Sequence, residues 1–185
     1  MKPFNRYYLL FVCVLAFAYC KKQKIILPQP PVEQLPAATQ EGKNTCGFLV
    51  NGKLWLPKGK LGNGQPNLDW WYDPAYRNGT FNIHGSRSEN QGDSLFTSFG
   101  IGISNCTTTG IYMLNRTAAG IAMYSNYYKN CIYYTQDTLP GHNSYINITK
   151  FDLQNRIISG TFQFSMVKPG CDTTRITEGR FDIKL

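Results

Sequence analysis

The stretch Gly47-Phe48-Leu49-Val50-Asn51-Gly52-Lys53-Leu54-Trp55-Leu56 decides the fold class. Two runs rich in apolar residues flank Asn51-Gly52, and both of these residues tolerate the positive φ angles of a type I′ turn. An Asn-Gly pair between apolar runs is the strongest short-range signal for a β-hairpin. The stretch therefore predicts two antiparallel strands at the start of a β domain.

The remainder of the chain continues this pattern. Further strand-like runs, separated by turn residues, lie at about 67–72, 80–84, 94–103, 110–115, 120–125, 131–136, 144–152, 157–167 and 173–185. Apolar residues at helical spacing are not sustained anywhere, so we expect little helix. The spacing predicts an all-β fold, namely an antiparallel β-sandwich or flattened barrel of about 9–11 strands.

The N-terminal end of the chain has the features of a signal peptide. Lys2 and Arg6 supply a short basic region, and the uncharged, mostly apolar run 7–19 follows it. A helix of that length rises about 20 Å, which is short of a hydrocarbon core of about 30 Å, so a stable transmembrane anchor is disfavoured. We predict that residues 1–19 are a cleaved signal.

The residues Leu15-Ala16-Phe17-Ala18-Tyr19-Cys20 resemble the lipobox of bacterial lipoproteins, in which the cysteine is lipidated and the signal is cut immediately before it. Tyr19 departs from that pattern, because a small residue normally precedes the cysteine. The alternative is an ordinary secretory signal with an incidental Cys20. We expect a lipidated Cys20, a Pro-rich tether over 20–43 and a single all-β domain over 44–185.

Two further segments resemble uncharacterised lipoprotein domains from Bacteroidetes. One is the opening, Thr45 to Pro57 with Asn51-Gly52-Lys53-Leu54-Trp55, and the other is the ending, Gly160-Thr161-Phe162-Gln163-Phe164 and Ile176-Thr177-Glu178-Gly179-Arg180-Phe181-Asp182. The resemblance implies an envelope lipoprotein with a β-sandwich and brings no catalytic residues, and we expect its lipid anchor at Cys20 to lie in the outer membrane. Lipoproteins of this group that reach the cell surface carry an acidic run after the cysteine. This chain lacks that run, which favours the periplasmic face slightly.

Charge gives little support for nucleic acid as a partner. The chain has a net charge of +8, but residues 44–185 carry 13 basic and 9 acidic side chains, with no basic run that interleaves with aromatic residues. Lys21, Lys22 and Lys24 lie directly after Cys20, where we expect them to face anionic lipid headgroups. The partner that these features predict is a membrane.

Four cysteines lie in the predicted domain: Cys46, Cys106, Cys131 and Cys171. An even count in an exported domain favours two disulfides. If residues 110–125 form a hairpin, Cys106 and Cys131 lie at its open end, which leaves Cys46 to pair with Cys171. The alternative is four buried reduced thiols. No two of these cysteines have the close spacing of a structural zinc site, so we expect no metal and no cofactor.

Motifs of catalysis are missing from the sequence. There is no G-x-S-x-G elbow, H-E-x-x-H motif, P-loop or dinucleotide fingerprint, and His84 is expected to be a structural histidine. Glycoside cleavage needs a pair of acids, for which the candidates are Asp69, Asp73, Glu89 and Asp93. Acids in loops are more often solvated turn residues. We therefore predict a protein without catalytic residues, and a hydrolase is the third alternative.

Aromatic residues supply the candidate ligand contacts. The first cluster is Trp70, Trp71, Tyr72 and Tyr76, and a second lies between residues 124 and 134. Aromatic rings beside Asp and Asn suit sugars, because they offer an apolar platform with polar groups at its edge. Adjacent strand residues face opposite ways, so only one of Trp70 and Trp71 is expected to be exposed. The alternative is that most of these rings belong to the core.

Three short Asp-Ser/Thr patterns resemble the O-glycosylation motif of Bacteroidetes, with acceptors at Ser94, Thr138 and Thr173. The sequence as a whole favours a non-enzymatic envelope lipoprotein that serves as an interaction or structural module. The competing interpretation is a carbohydrate-binding accessory lipoprotein that uses exposed Trp and Tyr side chains. A glycan or an envelope protein is the expected partner besides the membrane.

Overall fold

Eleven β-strands and one short 3₁₀ helix make up the described part of the chain, which in this computed structural model is residues 32–59, 67–89, 95–115, 120–139 and 143–185. The strands are β1 (Thr45–Val50), β2 (Lys53–Trp55), β3 (Leu68–Asp73), β4 (Thr80–Arg87), β5 (Thr97–Ile103), β6 (Gly110–Met113), β7 (Gly120–Asn126), β8 (Cys131–Tyr133), β9 (Tyr145–Asp152), β10 (Ile157–Met166) and β11 (Thr174–Lys184). The 3₁₀ helix is Thr135–Asp137. All of them belong to the unit Glu33–Leu185, whereas the predicted signal peptide over 1–19, Cys20 and Ser94 lie outside the described residues.

The strands form two antiparallel sheets that pack as a sandwich. The six-stranded sheet has the order β2-β1-β11-β10-β9-β6, and the five-stranded sheet has the order β3-β4-β5-β7-β8. The predicted β-sandwich is confirmed, as is the opening hairpin, where Asn51 and Gly52 have φ angles of 49° and 79° between β1 and β2.

Aromatic side chains fill the space between the sheets. Phe48 on β1 lies 5.0 Å, ring centre to ring centre, from Phe99 on β5 and 4.5 Å from Trp55. Phe162 on β10 packs against the same Phe99. Each such ring is fully or almost fully buried, which contributes about 1.5–3 kcal/mol per side chain relative to exposure.

Residues 110–125 do not form the expected hairpin. β6 pairs with β9 in one sheet and β7 pairs with β5 in the other, so the chain crosses between the sheets after Met113. The alternation of apolar residues in β6 is the same whether β6 pairs with β7 or with β9. It indicates which face of the strand is buried, but not which strand lies beside it.

The disulfide pairing that followed from that hairpin is wrong. Cys131, at the start of β8, is bonded to Cys171, which lies 40 positions further along the chain. Cys46 and Cys106 are buried free thiols. Burial raises the pKa of both thiols, that of Cys106 to about 11, so neither resembles a reactive cysteine.

Residues 33–43, which the sequence assigned to the tether, contact the sandwich; we call them the strap. The carboxylate of Asp182 on β11 accepts hydrogen bonds from the backbone N–H groups of Glu41, Gly42 and Lys43, at 2.8–3.2 Å. At the other end of the strap, Glu33 pairs with Arg87 at 3.1 Å. The all-β unit therefore begins at Glu33, and the part of the expected tether that precedes it lies outside the described residues.

Within the described ranges, no helix has the length and apolar character needed to cross a membrane.

Candidate functional site

An open groove lies on the outer face of the five-stranded sheet. Its volume is about 540 Å³, within the range of small-ligand sites. In β5 the side chains of Phe99, Ile101 and Ile103 point into the core, so the alternate positions Gly100 and Gly102 face outward. Because these two central positions have no side chains, the backbone of β5 itself forms this part of the floor of the groove.

The cross-strand register places the lining residues side by side. Trp71 lies opposite Asn82, which lies opposite Gly102, which in turn lies opposite Ile121. A Cβ atom at Gly102 would come within 2.5 Å of Asn82 Oδ1 and within 3.2 Å of Ile121. Trp71 and Ile121 therefore rise on either side of a floor that depends on this glycine.

A second row of outward-facing residues crosses the sheet parallel to the first, two residues further along the strands. His84 lies opposite Gly100, and Gly100 lies opposite Met123. A Cβ atom at Gly100 would lie 3.1 Å from Met123 Cγ and 3.4 Å from Met123 Sδ, which belong to a flexible side chain. The groove is therefore built by β4, β5 and β7 along their length, and Trp71 on β3 closes one side.

The structure divides the predicted aromatic cluster by strand parity. The Trp71 side chain is 47% exposed and lines the groove, and Tyr76 is exposed nearby. Trp70 instead donates its indole N–H to the carbonyl of Lys184 at 2.9 Å, and Tyr72 packs on the core. The prediction that only one of the two tryptophans is exposed is confirmed, whereas Trp70 and Tyr72 do not reach the groove.

The second aromatic cluster contributes one residue. Tyr134, 44% exposed, lines the groove near the 3₁₀ helix, across from Trp71. Tyr124 and Tyr133 are buried, and Tyr127 and Tyr128 are exposed elsewhere. The fold thus brings Trp71 and Tyr134 together although 63 positions separate them in the sequence.

The floor carries two polar side chains, Asn82 and His84. Among the described residues, the Nδ2 group of Asn82 is buried and has no hydrogen-bond partner. Partial desolvation lowers the pKa of His84, and the nearby Asp69 carboxylate opposes that shift. A lowered pKa keeps the imidazole neutral near pH 7, when one ring nitrogen donates and the other accepts a hydrogen bond.

The candidate carboxylates have structural contacts. Asp73 accepts hydrogen bonds from two backbone N–H groups of the turn that follows β3. Glu89 accepts a hydrogen bond from Arg87 at 2.7 Å, and Asp93 lies outside the described residues. Asp69 accepts the backbone N–H of Trp70 and does not line the groove. No cluster of three potential metal ligands occurs among the residues that the structure describes.

The groove continues beyond Trp71 into a smaller depression of about 150 Å³. Tyr76, Arg77 and Ser104 line this extension, which shares Trp71 and Asn82 with the main groove. The guanidinium of Arg77 lies 5.3 Å from the centre of the Tyr76 ring, so the one charged side chain in the described lining of the extension rests on an aromatic face.

Two of the three predicted glycosylation sites fall in the described ranges. Thr138 directly follows the 3₁₀ helix, and its hydroxyl donates to the carbonyl of Thr135. Thr173 is partly buried just before β11, and its carbonyl accepts the side-chain amide of Asn51. Both hydroxyl-bearing residues therefore take part in the local packing of turns.

The fold and this site define a two-sheet β-sandwich with an open, largely uncharged groove on the outer face of its smaller sheet. The chain belongs to the family described as Domain of unknown function (DUF6252), whose model matches residues 74–182. The resemblance to an uncharacterised domain family is confirmed to that extent. The match includes Asn82, His84 and Tyr134 and begins just after Trp71. No curated protein matches the chain, and no solved structure matches it.

Proposed function

We propose that this chain is an exported bacterial envelope lipoprotein whose sandwich is a non-catalytic interaction module, with the Trp71 groove as its binding site. The observation that carries the proposal is the groove itself. An exposed tryptophan and an exposed tyrosine line one groove whose floor holds an unsatisfied amide, and both exposed aromatic surface and an unpaired buried donor are unfavourable without a ligand.

The chemistry of the groove supports binding rather than catalysis. Its described lining contains His84 but no Asp, Glu, Lys or Arg. The Thr135 hydroxyl, which also lines the groove, exchanges hydrogen bonds with the backbone of Ala122, and no carboxylate in the described lining stands beside His84 as a partner for general acid–base chemistry. Nearby acids are engaged in turns and ion pairs, which supports the same conclusion.

The envelope location rests on the N-terminal sequence. The signal-like run 7–19, the lipobox-like residues before Cys20 and the resemblance to Bacteroidetes lipoproteins support an outer-membrane anchor, with the periplasmic face favoured. Lys21, Lys22 and Lys24 would add attraction to anionic headgroups. In this arrangement the lipid holds the module at the membrane while the groove remains accessible.

Photo-cross-linking in the intact envelope tests the proposal. A photoreactive phenylalanine derivative replaces Tyr134 in the groove, and in a matched strain it replaces Tyr128, which is 45% exposed but does not line the groove. We expect a discrete adduct at position 134 that is absent or much weaker at position 128. Equal adducts at the two positions, or none at position 134, would contradict a binding role for the groove.

A further inference from the structure

We infer that the Trp71 groove binds an uncharged saccharide chain, laid along β4 and β5 with one ring stacked on Trp71. The inference rests on the proposed binding role and names the ligand class for the same site. It depends on how apolar and polar groups are distributed between the walls and the floor.

The side walls of the groove are apolar, its floor is polar, and Tyr134, Thr135 and Gln136 add polar groups at the end near the 3₁₀ helix. Trp71 stands on one side, Ile121 and Met123 on the other, and Asn82 and His84 lie between them. A pyranose ring has an apolar C–H face and hydroxyl groups around its edge. The C–H face of such a ring can stack on a tryptophan while its hydroxyl groups form hydrogen bonds with neighbouring amide and imidazole groups.

The floor has an unmet hydrogen-bond donor. Asn82 Nδ2 has no partner among the described residues, and leaving a buried donor unsatisfied is unfavourable. Asn82 Oδ1 lies over the gap left by Gly102, where it can accept a hydrogen bond from a ligand hydroxyl, and a flip of the amide by about 180° would present Nδ2 to the ligand at the same place. Neutral His84, one step further along β4, can both donate to and accept from hydroxyl groups.

Other ligand classes fit the groove less well. An acyl chain would cover Asn82 and His84 without giving either a hydrogen bond, which is unfavourable for polar groups. An extended peptide usually adds to a free strand edge, but β4 and β5 form the floor and each is paired on both sides. A strongly acidic ligand would find a single cation, Arg77, in the described lining of the groove and its extension.

The length of the groove favours a chain over a single sugar. Thr80, Asn82 and His84 are successive outward positions on β4, and they span about 14 Å at the usual rise of a strand. This span already includes the smaller depression beside Tyr76, which Thr80 lines. More than one sugar ring can therefore contact the sheet, with Trp71 between the two parts of the site.

Titration of the purified full chain in detergent tests the inference. The probes are neutral oligosaccharides of four to six units from the cello-, xylo-, manno-, malto- and chito- series, with oligogalacturonate as the acidic probe. Calorimetry and tryptophan fluorescence give the affinity. We expect at least one neutral series to bind, a loss of tenfold or more for Trp71→Ala, and unchanged affinity for Tyr128→Ala.

Gly100→Ala provides a second variant that leaves the aromatic residues in place. Its added methyl group occupies the floor of the groove and displaces only the flexible Met123 side chain, so we expect weaker saccharide binding by a protein that still folds. Thermal unfolding of each variant confirms that the fold is kept. An affinity that neither Trp71→Ala nor Gly100→Ala changes would overturn the inference.

The possible failures of the two proposals are distinguishable. If no neutral oligosaccharide binds, or if oligogalacturonate binds more tightly than all of them, the ligand class is wrong. In that case a position-134 adduct to a protein or a lipid in the intact envelope would still support the binding role. If that adduct is missing as well, both proposals fail.

Discussion

The backbone N–H of Gly42 donates a hydrogen bond to Asp182 Oδ1 at 2.8 Å, across 140 positions of sequence. Asp182 also accepts bonds from Ser159 Oγ at 2.7 Å and from Thr39 Oγ1 at 2.6 Å. One buried carboxylate therefore joins the strap to β10 and β11. Burial by itself would raise the pKa of Asp182, but the hydrogen bonds together outweigh it and lower the pKa to about 2.

Replacement of Asp182 should destabilise the sandwich strongly. Asp182→Ala leaves Ser159 Oγ and the strap N–H groups without their acceptor, and we expect a loss of about 3 kcal/mol in the free energy of unfolding. Urea denaturation measures this loss. Asp172→Asn is the control. Asp172 pairs with Lys129 at the solvent-exposed surface, so its replacement should lower the free energy of unfolding by less than about 1 kcal/mol. Similar effects of the two substitutions would refute the structural role of Asp182.

Asp182 should also make stability depend on pH in acid. Because its pKa is lowered in the folded state from an ordinary 3.8, its contribution is fully present above about pH 4 and is lost as the pH falls towards 2. Over that window we expect wild-type stability to fall by about 2 kcal/mol more than that of Asp182→Asn. The pKa of Asp152 is lowered too, but Asp152 is present in both proteins and affects them alike. Plots of the free energy of unfolding against pH that run parallel for wild type and Asp182→Asn would contradict the prediction.

The Cys131–Cys171 disulfide should stabilise the fold, and it should be the only one formed by the four cysteines of the described domain. A cross-link that closes a loop of this size contributes about 2–4 kcal/mol, which the double variant Cys131→Ser/Cys171→Ser should lose. In the unreduced protein, alkylation of these four residues should label none in the folded state and only Cys46 and Cys106 in urea. Labelling of Cys131 or Cys171 in urea without reductant would show that the pairing is wrong.

Lipid attachment should depend on Cys20 alone. Cys20→Ala should abolish incorporation of a palmitate analogue and release the protein from the membrane fraction or leave an uncleaved precursor. The predicted signal offers a matched control in Cys13, whose substitution by Ala removes a cysteine but should leave labelling intact. Palmitate labelling that persists in Cys20→Ala would rule out the proposed anchor.

The local features of the fold were predictable because each depends on neighbouring residues. Asn51-Gly52 predicted its own turn, and the alternating residues from Ile146 to Met166 predicted strands that do pair in sequence as β9 and β10. The partner of β6 was not predictable, since pairing with β9 or with β7 buries the same local pattern. The wrong disulfide followed directly from that choice.

The site was predictable in part for the same reason. Strand alternation indicated that one of Trp70 and Trp71 is exposed, but Tyr134 joins the groove only through long-range strand order. One overlooked signal was present in β5, where Gly100 and Gly102 alternate with Phe99, Ile101 and Ile103. Glycines on one face of a strand interior mark a place where another group can approach the backbone closely.

The indole N–H resonances of the three tryptophans test saccharide binding in the groove most directly. Trp55 and Trp70 donate their indole N–H groups to Thr97 Oγ1 and to the Lys184 carbonyl within the protein, whereas the Trp71 ring is exposed in the groove. In ¹⁵N-labelled full chain titrated with the soluble glycan fraction of the envelope, we predict that the Trp71 signal shifts and the other two stay. A Trp71 signal that does not move, or shifts confined to Trp55 or Trp70, would contradict saccharide binding in the groove.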